Sequence, residues 1–357
     1  MIIYAVVIGR RSRVKVAVIG TTGYGGGELI RILHNHPIFQ IHSIHSTRDE
    51  MQITEEFPHL EAIFEDSLKK VDSKVIAEEA DVVFLATPSG VSGKLAEAFY
   101  DKDIQVIDLS GDLRLKNQED YQYWYKHDPV NSDILTRAVY GLSEWNREKI
   151  TNANIIANPG CYPTAVLLGL APVVKGHLSE STGIIIDAKS GVSGAGKTLS
   201  MANAFAEMND NFRIYKVNQH QHIPEIEQQL KFWDDSISPV TFSTHLLPIT
   251  RGIMATMYVQ LKQEIDTSQI IELYQETYLN NPFVRVRKEG RFPSIKEVAG
   301  SNYCDIGLQV DKRTGRLTIV SVIDNLMKGA AGQAVQNANL MNGIDEKAGL
   351  NFIPIYP

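Results

Sequence analysis

The segment around Cys161 is the part of the chain best suited to covalent chemistry. It reads NPGCYPT, and Pro159 and Gly160 predict a tight turn in front of the cysteine. Pro163 suits the first turn of a helix, which the apolar run 164–174 would continue. Cys161 would then lie at a helix N-terminus, where the dipole stabilises a thiolate and lowers the thiol pKa. Burial as a small core side chain is the commoner fate of a cysteine, but the turn residues favour a nucleophile.

Cys304, the other cysteine of the chain, lies on the apolar face of the alternating run 303–310. That alternation predicts a strand with one face in the core, so we expect this thiol to be inert. Two cysteines are too few for a disulfide framework or a cysteine-rich metal site.

Two histidines, His220 and His222, stand in the segment HQHIPEIEQ, and Pro224 predicts a helix start just after them. On a strand the pair would share one face, as metal ligands can. No third ligand at a telling spacing accompanies them, so no metal is predicted. A general acid–base partner for Cys161 is a second interpretation, and a capping or surface histidine is a third. Taken alone, the segment favours the third interpretation.

A glycine-rich turn, GTTGYGGGE, joins the first predicted strand to the first predicted helix. Glycines there let backbone N–H groups approach a phosphate at the helix N-terminus. The spacing of Gly20, Gly23 and Gly26 departs from the G-x-G-x-x-G dinucleotide fingerprint, and a tight turn without a ligand uses similar residues. Its place on the first strand of an alternating unit favours a nucleotide.

The end of the second predicted strand bears on the choice between NAD and NADP. A site for NAD usually places an acid about 20 residues on, where it binds the ribose 2′-hydroxyl. Here the strand ends Ser46-Thr47-Arg48, and a hydroxyl with a guanidinium suits a 2′-phosphate. We therefore expect NADP, while a solvated surface role for Arg48 is the competing interpretation.

A second glycine loop, from Gly191 to Thr198, matches the P-loop pattern G-x-x-x-x-G-K-T. It follows the predicted strand 183–190 and raises the alternative of a phosphate-cleaving NTPase. The loop lies outside the strand–helix alternation, however, and a pattern of four fixed positions also occurs by chance. We expect instead that its N–H groups and Lys197 hold an anion or a cofactor.

The elements that would position these residues follow two patterns. In the first part of the chain, continuous apolar strands alternate with helices, which predicts a parallel sheet covered on both faces. Those strands are 14–20, 41–46, 81–87, 105–110 and 154–158, with helices at 27–34 and 91–100. After about residue 175 the pattern is α+β, with a hairpin around the turn 312–315. Its strands are 183–190, 240–249, 252–262, 303–310 and 317–323, and a final helix covers 328–341.

Length and charge limit the class of protein. The chain has 357 residues, which suits two domains. Its 35 basic and 42 acidic residues give a net charge of −7, which argues against a general nucleic-acid or membrane-surface binder. The apolar start, MIIYAVVIG, is too short to span a bilayer and lacks the order of a signal peptide. We therefore expect a soluble, cytoplasmic protein.

Seven segments follow one another along the chain: GTTGYGGGEL, DLSGDLRL, NPGCYPT, SGVSGAGK, HQHIPEIEQ, LLPITRGI and DNLMKGAAGQAVQN. Together and in this order they resemble the N-acetyl-gamma-glutamyl-phosphate reductase family. These are acyl-phosphate-reducing enzymes of arginine biosynthesis, related to aspartate-semialdehyde dehydrogenase. The resemblance runs from about Val14 to the C-terminus and leaves residues 1–13 as an extension. The resemblance also explains why Gly191–Thr198 matches the P-loop pattern, because SGVSGAG belongs to the family's active site.

The resemblance implies an α/β fold: an NADP-binding Rossmann domain over residues 1–160, completed by 324–357, and an α+β catalytic and oligomerisation domain over 161–323. Cys161 would be the nucleophile and His222 the acid–base. The residues that would hold the acyl phosphate and the substrate carboxylate are Arg114, Asn158 and Lys197. The predicted NADP site comprises Gly20, Thr22, Gly23, Tyr24, Gly25, Gly26, Ser46, Arg48, Thr87, Pro88, Ser89, Gly194 and Asn325. Homodimers or homotetramers are expected.

The implied reaction is the NADPH-dependent reduction of N-acetyl-gamma-glutamyl phosphate to N-acetyl-glutamate semialdehyde and phosphate, through a thioester on Cys161. The sequence leaves the acyl group open. An N-succinyl-glutamyl phosphate, or an N-acyl-aminoadipyl phosphate with one more methylene, would undergo the same chemistry. A P-loop NTPase that uses Gly191–Thr198 is the alternative from another class.

Overall fold

A computed structural model of the protein describes residues 13–46 and 50–357. Arg48 and residues 1–12 of the predicted extension lie outside the described residues. The described strands form two sheets from separate parts of the chain, one parallel and one mixed, which confirms the predicted α/β fold with a second α+β part. None of the described helices combines the length and the apolar composition needed to cross a bilayer.

The first sheet is parallel, and its described strands lie in the order β2-β1-β3-β4-β6-β5. These strands are β1 (Val14–Ile19), β2 (Phe39–His45), β3 (Val82–Leu85), β4 (Gln105–Asp108), β5 (Val139–Tyr140) and β6 (Ile155–Ala157). The α-helices of this part are α1 (Tyr24–His34), α2 (Ile53–Glu56), α3 (Ser73–Glu79), α4 (Ser92–Phe99), α5 (Gln118–Tyr125), α6 (Ser132–Arg137) and α7 (Ser143–Thr151). Every residue of β3 is buried, as expected for a central strand covered on both faces.

The second sheet is mixed, and its described strands lie in the order β11-β12-β13-β10-β7-β9-β8. These strands are β7 (Ile185–Gly191), β8 (Arg213–Tyr215), β9 (Thr241–Leu247), β10 (Ile253–Gln260), β11 (Val284–Val286), β12 (Cys304–Asp311) and β13 (Arg316–Ile323). The α-helices are α8 (Cys161–Lys175), α9 (Phe205–Met208), α10 (Ile223–Trp233) and α11 (Thr267–Tyr278). The apolar helix α8 packs on the buried face of this sheet, against β10 and β13.

The sequence indicated the hairpin in this sheet correctly, but not the order of its neighbours. β12 and β13 pair antiparallel from Cys304–Ile323 to Asp311–Arg316, as predicted. β9 and β10 follow each other in the chain, yet β7 lies between them, parallel to β9 and antiparallel to β10. Strand order depends on long-range pairing, which local patterns do not encode.

One predicted helix start is wrong, and the predicted final helix has an unexpected first turn. The first helix begins at Tyr24 rather than Gly27, so glycines that were assigned to the turn form its first turn. The final helix begins with a π-helical turn (Met327–Ala331) and continues as α12 (Gly332–Met341). A π-turn is rare in folded proteins and often lies at a functional site.

The end of the chain packs on the first sheet's domain, although the second sheet precedes it. Ala334, Val335 and Ala338 of α12 join the core that contains Val16 and Leu29. The polar side chains of this helix are also buried. Asn337 and Gln333 both donate to the carbonyl of Gly141, which precedes α7. Residues of α12 thus share the core of the first sheet, and the division of the chain into 1–160 with 324–357 and 161–323 stays a prediction.

A buried ion pair anchors the π-turn to the first domain. Lys328 and Glu144 are 0% and 1% exposed, and Lys328 Nζ lies 2.6 Å from Glu144 Oε1. Lys328 also donates to Gln336 Oε1 at 2.8 Å. A buried ammonium needs such partners, because an unpaired charge in the interior is costly.

We expect Lys328→Met to lower the free energy of unfolding by about 3–5 kcal/mol, because Glu144 would keep a buried charge without its cation. Urea unfolding at one fixed protein concentration, followed by circular dichroism, measures the change. Lys312→Met is the matched control. Lys312 is 77% exposed and pairs with Asp266 on the surface, so its loss should leave stability nearly unchanged. Equal stabilities of the two variants would contradict the role given to the buried pair.

Candidate active site

A cavity of about 860 Å³ lies between the two parts of the chain. The parallel strands β1, β3, β4 and β6 end at the same edge of the first sheet, and their following loops open into this cavity, as expected for a doubly wound sheet. The second part contributes the loop after β7, strand β8 and the turn before α10. The sequence-predicted residues that line the cavity are Gly23, Tyr24, Gly25, Thr87, Pro88, Ser89, Arg114, Cys161, Gly194, His222 and Asn325.

Cys161 is the first residue of α8, and Gly160 is its N-cap, as the turn residues predicted. Side chains crowd this turn. A Cβ on residue 160 would lie 2.5 Å from His222 Nε2 and 2.8 Å from Arg114 Nη1, so no larger residue fits without displacing them. Gly329 of the π-turn packs against Cys161 from another side. The fold therefore places an imidazole and a guanidinium beside the peptide that leads into the cysteine.

The predicted lowering of the Cys161 pKa is wrong for this structure. Burial raises the pKa of the thiol to about 11, and the positive charge of Arg114 offsets only part of that rise. Desolvation penalises the thiolate more than one helix N-terminus stabilises it. Cys161 is therefore a neutral thiol at pH 7, and it needs a base to react.

His222 caps the start of α10 from a turn, not from a strand, and Pro224 follows in the first turn as predicted. Its ring lies 4.8 Å from the ring of His220 and 6.0 Å from that of Tyr162. Burial lowers the pKa of His222 well below its usual value, with smaller contributions in the same direction from the nearby positive charges. Its buried Nδ1 has no hydrogen-bond partner among the described residues. A neutral imidazole in this position can accept a proton.

His220 is also buried, and its surroundings do not suit a metal. Burial lowers the pKa of His220 to about 3. Its Nδ1 accepts a hydrogen bond from the backbone N–H of His222, and its Nε2 lies 3.5 Å from the Tyr215 hydroxyl. No group of three or more side chains of metal-binding type was found among residues 13–46 and 50–357. The structural contacts indicate that His220 shapes the turn that presents His222.

Glu225 is a central site residue that sequence reasoning missed. It is fully buried in the first turn of α10, and its carboxylate accepts three hydrogen bonds. The donors are the backbone N–H of Gly160 at 2.8 Å, the Tyr140 hydroxyl at 2.8 Å and Arg114 Nη1 at 3.2 Å. The signal in the sequence was an acid three residues after His222, beside a proline that starts a helix. Its partners are distant in sequence, so no local pattern names them.

Arg114 is buried and lines the cavity. Besides the bond to Glu225, its Nε donates to the Asn158 carbonyl and its Nη2 to the Leu109 carbonyl, both at 2.8 Å. A guanidinium has five N–H groups, so three are used in these bonds and two remain. This cation is therefore fixed in orientation and still able to donate.

The structure places Asn158 and Lys197 away from the cavity lining. Asn158 is fully buried, donates to the Ala330 carbonyl and accepts from Asn337, so its side chain connects the end of β6 to the C-terminal helix of the same domain. Lys197 forms an ion pair with Glu56 and lies 4.2 Å from the centre of the Phe57 ring. Their predicted roles in binding substrate rest on the sequence resemblance alone.

The Gly191–Thr198 loop does not have P-loop geometry. Its residues Val192–Ala195 form a 3₁₀ turn, and no α-helix begins at Lys197 or Thr198. A P-loop continues directly into a helix whose N-terminus faces the phosphates. The NTPase alternative therefore lacks its structural requirement.

The glycine turn fits a dinucleotide. Gly23 caps α1 without a side-chain hydrogen bond, and the first turn of the helix contains no acid. Tyr24 and Gly25 line the cavity, so free N–H groups at this helix start face it. Gly20, Thr22 and Gly26 lie behind them in the turn and do not line the cavity. The arrangement suits a pyrophosphate at the helix N-terminus.

The rest of the predicted cofactor site divides into residues at the cavity and residues away from it. Thr87, Pro88 and Ser89 follow β3 and line the cavity, and the buried Thr87 Oγ1 has no hydrogen-bond partner among the described residues. Asn325 accepts from the Gly252 N–H and donates to Ser193 Oγ, which fixes the loop that contains Gly194. An orphaned hydroxyl in the lining is the feature a bound ligand would satisfy.

Ser46 and Arg48, the residues that favour NADP, remain untested. Ser46 is buried at the end of β2 and its backbone N–H donates to the Lys69 carbonyl. Arg48 lies in the segment that the structure does not describe. The choice of a 2′-phosphate at this position stays a prediction.

Comparisons with known proteins identify the class of the chain and then its family. Residues 15–153 match the family model described as semialdehyde dehydrogenase, NAD binding domain, and residues 161–325 match the semialdehyde dehydrogenase dimerisation domain. The fold and the site therefore define a protein of the semialdehyde dehydrogenase type. The chain belongs to the N-acetyl-gamma-glutamyl-phosphate reductase family.

Two curated relatives carry that family assignment. The N-acetyl-gamma-glutamyl-phosphate reductase of Geobacillus sp. (strain WCH70) is 56% identical over 344 residues, covering 96% of this chain and 100% of the relative. The protein of the same name from Bacillus cereus (strain AH187) is 54% identical over 343 residues, covering 96% and 99%.

Solved structures share the fold at low sequence identity. Aspartate semialdehyde dehydrogenase II from Vibrio cholerae superposes with a TM-score of 0.69 at 19% identity, over 93% of this chain and 99% of that chain. The aspartate semialdehyde dehydrogenase with NADP from Candida albicans gives 0.65 at 16% identity, over 95% and 99%. These matches show that the two-domain architecture is common to the class.

We expect alkylation of Cys161 by iodoacetamide to quicken about tenfold for each pH unit from 7 to 9, because the raised pKa leaves little thiolate until higher pH. Mass spectrometry of the modified peptide measures the rate. Cys304 is the internal control: it is fully buried and burial raises its thiol pKa to about 12, so it should stay unmodified. A rate already at its plateau near pH 7 would show that the thiolate forms without deprotonation by an added base.

Proposed function

We propose that the protein reduces N-acetyl-gamma-glutamyl phosphate to N-acetyl-glutamate semialdehyde and phosphate, with NADPH as the reductant, as in arginine biosynthesis. The observation that carries this function is the grouping of Cys161, His222 and Arg114 around Gly160, at a cavity shared with the glycine turn of the first sheet. The curated relatives over 50% identical carry the name of the same reaction.

Cys161 supplies the nucleophile. Its sulfur attacks the acyl carbon, and phosphate leaves as the thioester forms. His222 is unprotonated at rest because burial lowers its pKa, so a ring nitrogen is available to accept the thiol proton as the C–S bond forms. The same proton is returned when the aldehyde is released and the thiol is restored. Because both groups are neutral at rest, charge develops only as the bond to sulfur forms.

Arg114 stabilises negative charge near the reacting carbon. Its guanidinium is held by Glu225 and two backbone carbonyls, so it needs no reorganisation when an anion binds. Two free N–H donors can serve a phosphoryl or carboxylate group. Lys197 and Asn158 belong to the proposal only through the sequence resemblance.

The cofactor would be held by the uncapped start of α1, by the loop Thr87–Ser89 and by the loop of Gly194 that Asn325 fixes. Bound NADPH would supply the hydride that reduces the thioester. NADP rather than NAD is supported by the absence of an acid at residues 46–48 of the sequence.

We also propose a homodimer or homotetramer, supported by the match to the dimerisation-domain model. The sheet face opposite α8 is partly exposed and carries large apolar side chains, including Met254, Tyr258 and Val320. A face of this kind needs a covering surface. A cytoplasmic location fits the two free thiols, since thiols persist in reducing compartments.

With N-acetyl-glutamate semialdehyde, phosphate and NADP, the purified protein should form NADPH, followed by absorbance. Cys161→Ser should lower kcat by about a thousandfold or more, because the thioester can no longer form. Cys304→Ser is the matched control, since this buried residue contacts Ser321 on the next strand and not the cavity. Activity retained in Cys161→Ser, or a comparable loss in Cys304→Ser, would overturn the assignment of the nucleophile.

A panel of three aldehydes distinguishes the acyl groups that remain open. N-acetyl-glutamate semialdehyde should give a kcat/KM about ten- to a hundredfold above that of the N-acetyl-aminoadipate homologue, since one methylene is worth a modest difference. The N-succinyl compound completes the panel. Steady-state rates at saturating phosphate and NADP provide the comparison, and preference for either alternative would replace the proposed substrate.

A further inference from the structure

Tyr125 is a cavity residue to which the proposed mechanism gives no role. It is the last residue of α5 and lines the cavity together with Gly111 and Arg114. Its ring packs directly on Gly111, where a Cβ would come within 2.1 Å of the ring, and stacks on Tyr121 at 4.8 Å between centroids. Both contacts fix the ring, so the direction of its hydroxyl is fixed as well.

The Tyr125 hydroxyl is buried and meets no hydrogen-bond partner among residues 13–46 and 50–357. Leaving a buried hydroxyl unpaired costs free energy, and native proteins rarely do so without a reason. Tyr121 makes the contrast, because its hydroxyl donates to Asp112 at 2.7 Å. Two stacked tyrosines on one helix thus differ: the hydroxyl of Tyr121 has a protein partner, and the buried hydroxyl of Tyr125, a residue of the cavity lining, has none among the described residues.

The charges around this hydroxyl favour an anionic partner. Arg114 is close enough to interact with Tyr125 electrostatically, and it has N–H donors left. The nearby carboxylates of Glu225 and Asp112 are already engaged. Glu225 accepts three hydrogen bonds, and Asp112 accepts from Tyr121 and from the N–H groups of Gly90 and Gly93.

The protonation state of Tyr125 makes it a donor. Burial raises the pKa of this phenol well above its usual value, and the positive charge of Arg114 offsets only part of the rise. Its O–H therefore stays protonated throughout the pH range in which the enzyme would work. The phenol oxygen can accept from an Arg114 N–H, and its own O–H then has a proton to donate, for which the described residues supply no acceptor.

We propose that the Tyr125 hydroxyl, together with Arg114, binds the phosphoryl group of the substrate. This inference rests on the proposed function, because it names the part of the acyl phosphate that the site receives. Arg114 lies beside the Gly160–Cys161 turn, so an anion held there is next to the carbon that Cys161 attacks. In the forward direction the C–O bond to phosphate breaks as the C–S bond forms, and the oxygen that leaves with the phosphate keeps the electron pair.

In the reverse reaction the semialdehyde, phosphate and NADP are three separate substrates, so the KM for each can be measured on its own. In that direction an oxygen of inorganic phosphate attacks the thioester carbon, and the Cys161 thiolate leaves. Tyr125→Phe removes the hydroxyl while keeping the ring that covers Gly111. It should raise the KM for phosphate about 10- to 100-fold, the value of a hydrogen bond to a charged group. The KM values for the semialdehyde and for NADP should stay within about twofold of wild type.

Tyr121→Phe is the matched control, since it removes a hydroxyl from the stacked partner that does not line the cavity. It should leave the KM for phosphate unchanged. A rise in the KM for the semialdehyde instead of phosphate, in Tyr125→Phe, would place the hydroxyl on the carboxylate or the acyl carbonyl and overturn the proposal. Unchanged KM values in that variant would overturn it too.

Failure of the proposed function is recognisable separately. If the wild-type protein forms no NADPH with semialdehyde, phosphate and NADP, the reaction itself is wrong. If the wild type is active and the phosphate KM of Tyr125→Phe is unaltered, only the assignment of Tyr125 fails. Circular dichroism and a thermal unfolding curve establish that each variant is folded before its KM values are compared.

Discussion

Glu225 lies where the two parts of the chain meet, and its buried carboxylate binds one group from each of three distant segments. These are the Gly160 N–H, the Tyr140 hydroxyl and the Arg114 guanidinium. A carboxylate without these partners would be too costly to bury. Because Gly160 leads into Cys161, the same interaction fixes the start of α8 and the cation beside it. The position of Cys161, the proposed nucleophile, thus depends on Glu225, to which the proposed mechanism gives no bond-forming role.

Burial of the site has a chemical consequence. The same packing that holds Cys161 and His222 in place removes water from them, which raises the pKa of the thiol and lowers that of the imidazole. The resting pair is therefore neutral, and the helix dipole does not by itself produce a thiolate. Arg114 stays charged under these conditions, and in the proposed function it matches the negative charge of the acyl phosphate.

The surroundings of Cys161 also depend on how the end of the chain returns to the first sheet. The π-turn places Gly329 against Cys161, and Lys328 in the same turn pairs with Glu144 of α7. α12 then joins the core of the first sheet. Cys161 is thus enclosed by the last elements of the chain, although it begins the second part. Residues from both parts of the chain pack around the Gly160–Cys161 peptide, and the cavity lies between these parts.

The sequence by itself determined the local elements: the turn that begins α8 at Cys161, the proline that starts α10 after His222, the glycine-rich turn in front of α1 and the β12–β13 hairpin. Each follows from residues within a few positions of one another. Only the tertiary structure decided that β7 separates β9 from β10, that Lys197 pairs with Glu56, that Asn158 faces away from the cavity, and that Glu225 and Tyr125 belong to the site. Those facts depend on contacts between distant segments. The thiol pKa depends on burial, which raises it more than the helix dipole lowers it. Local sequence preferences describe neither long-range contacts nor burial.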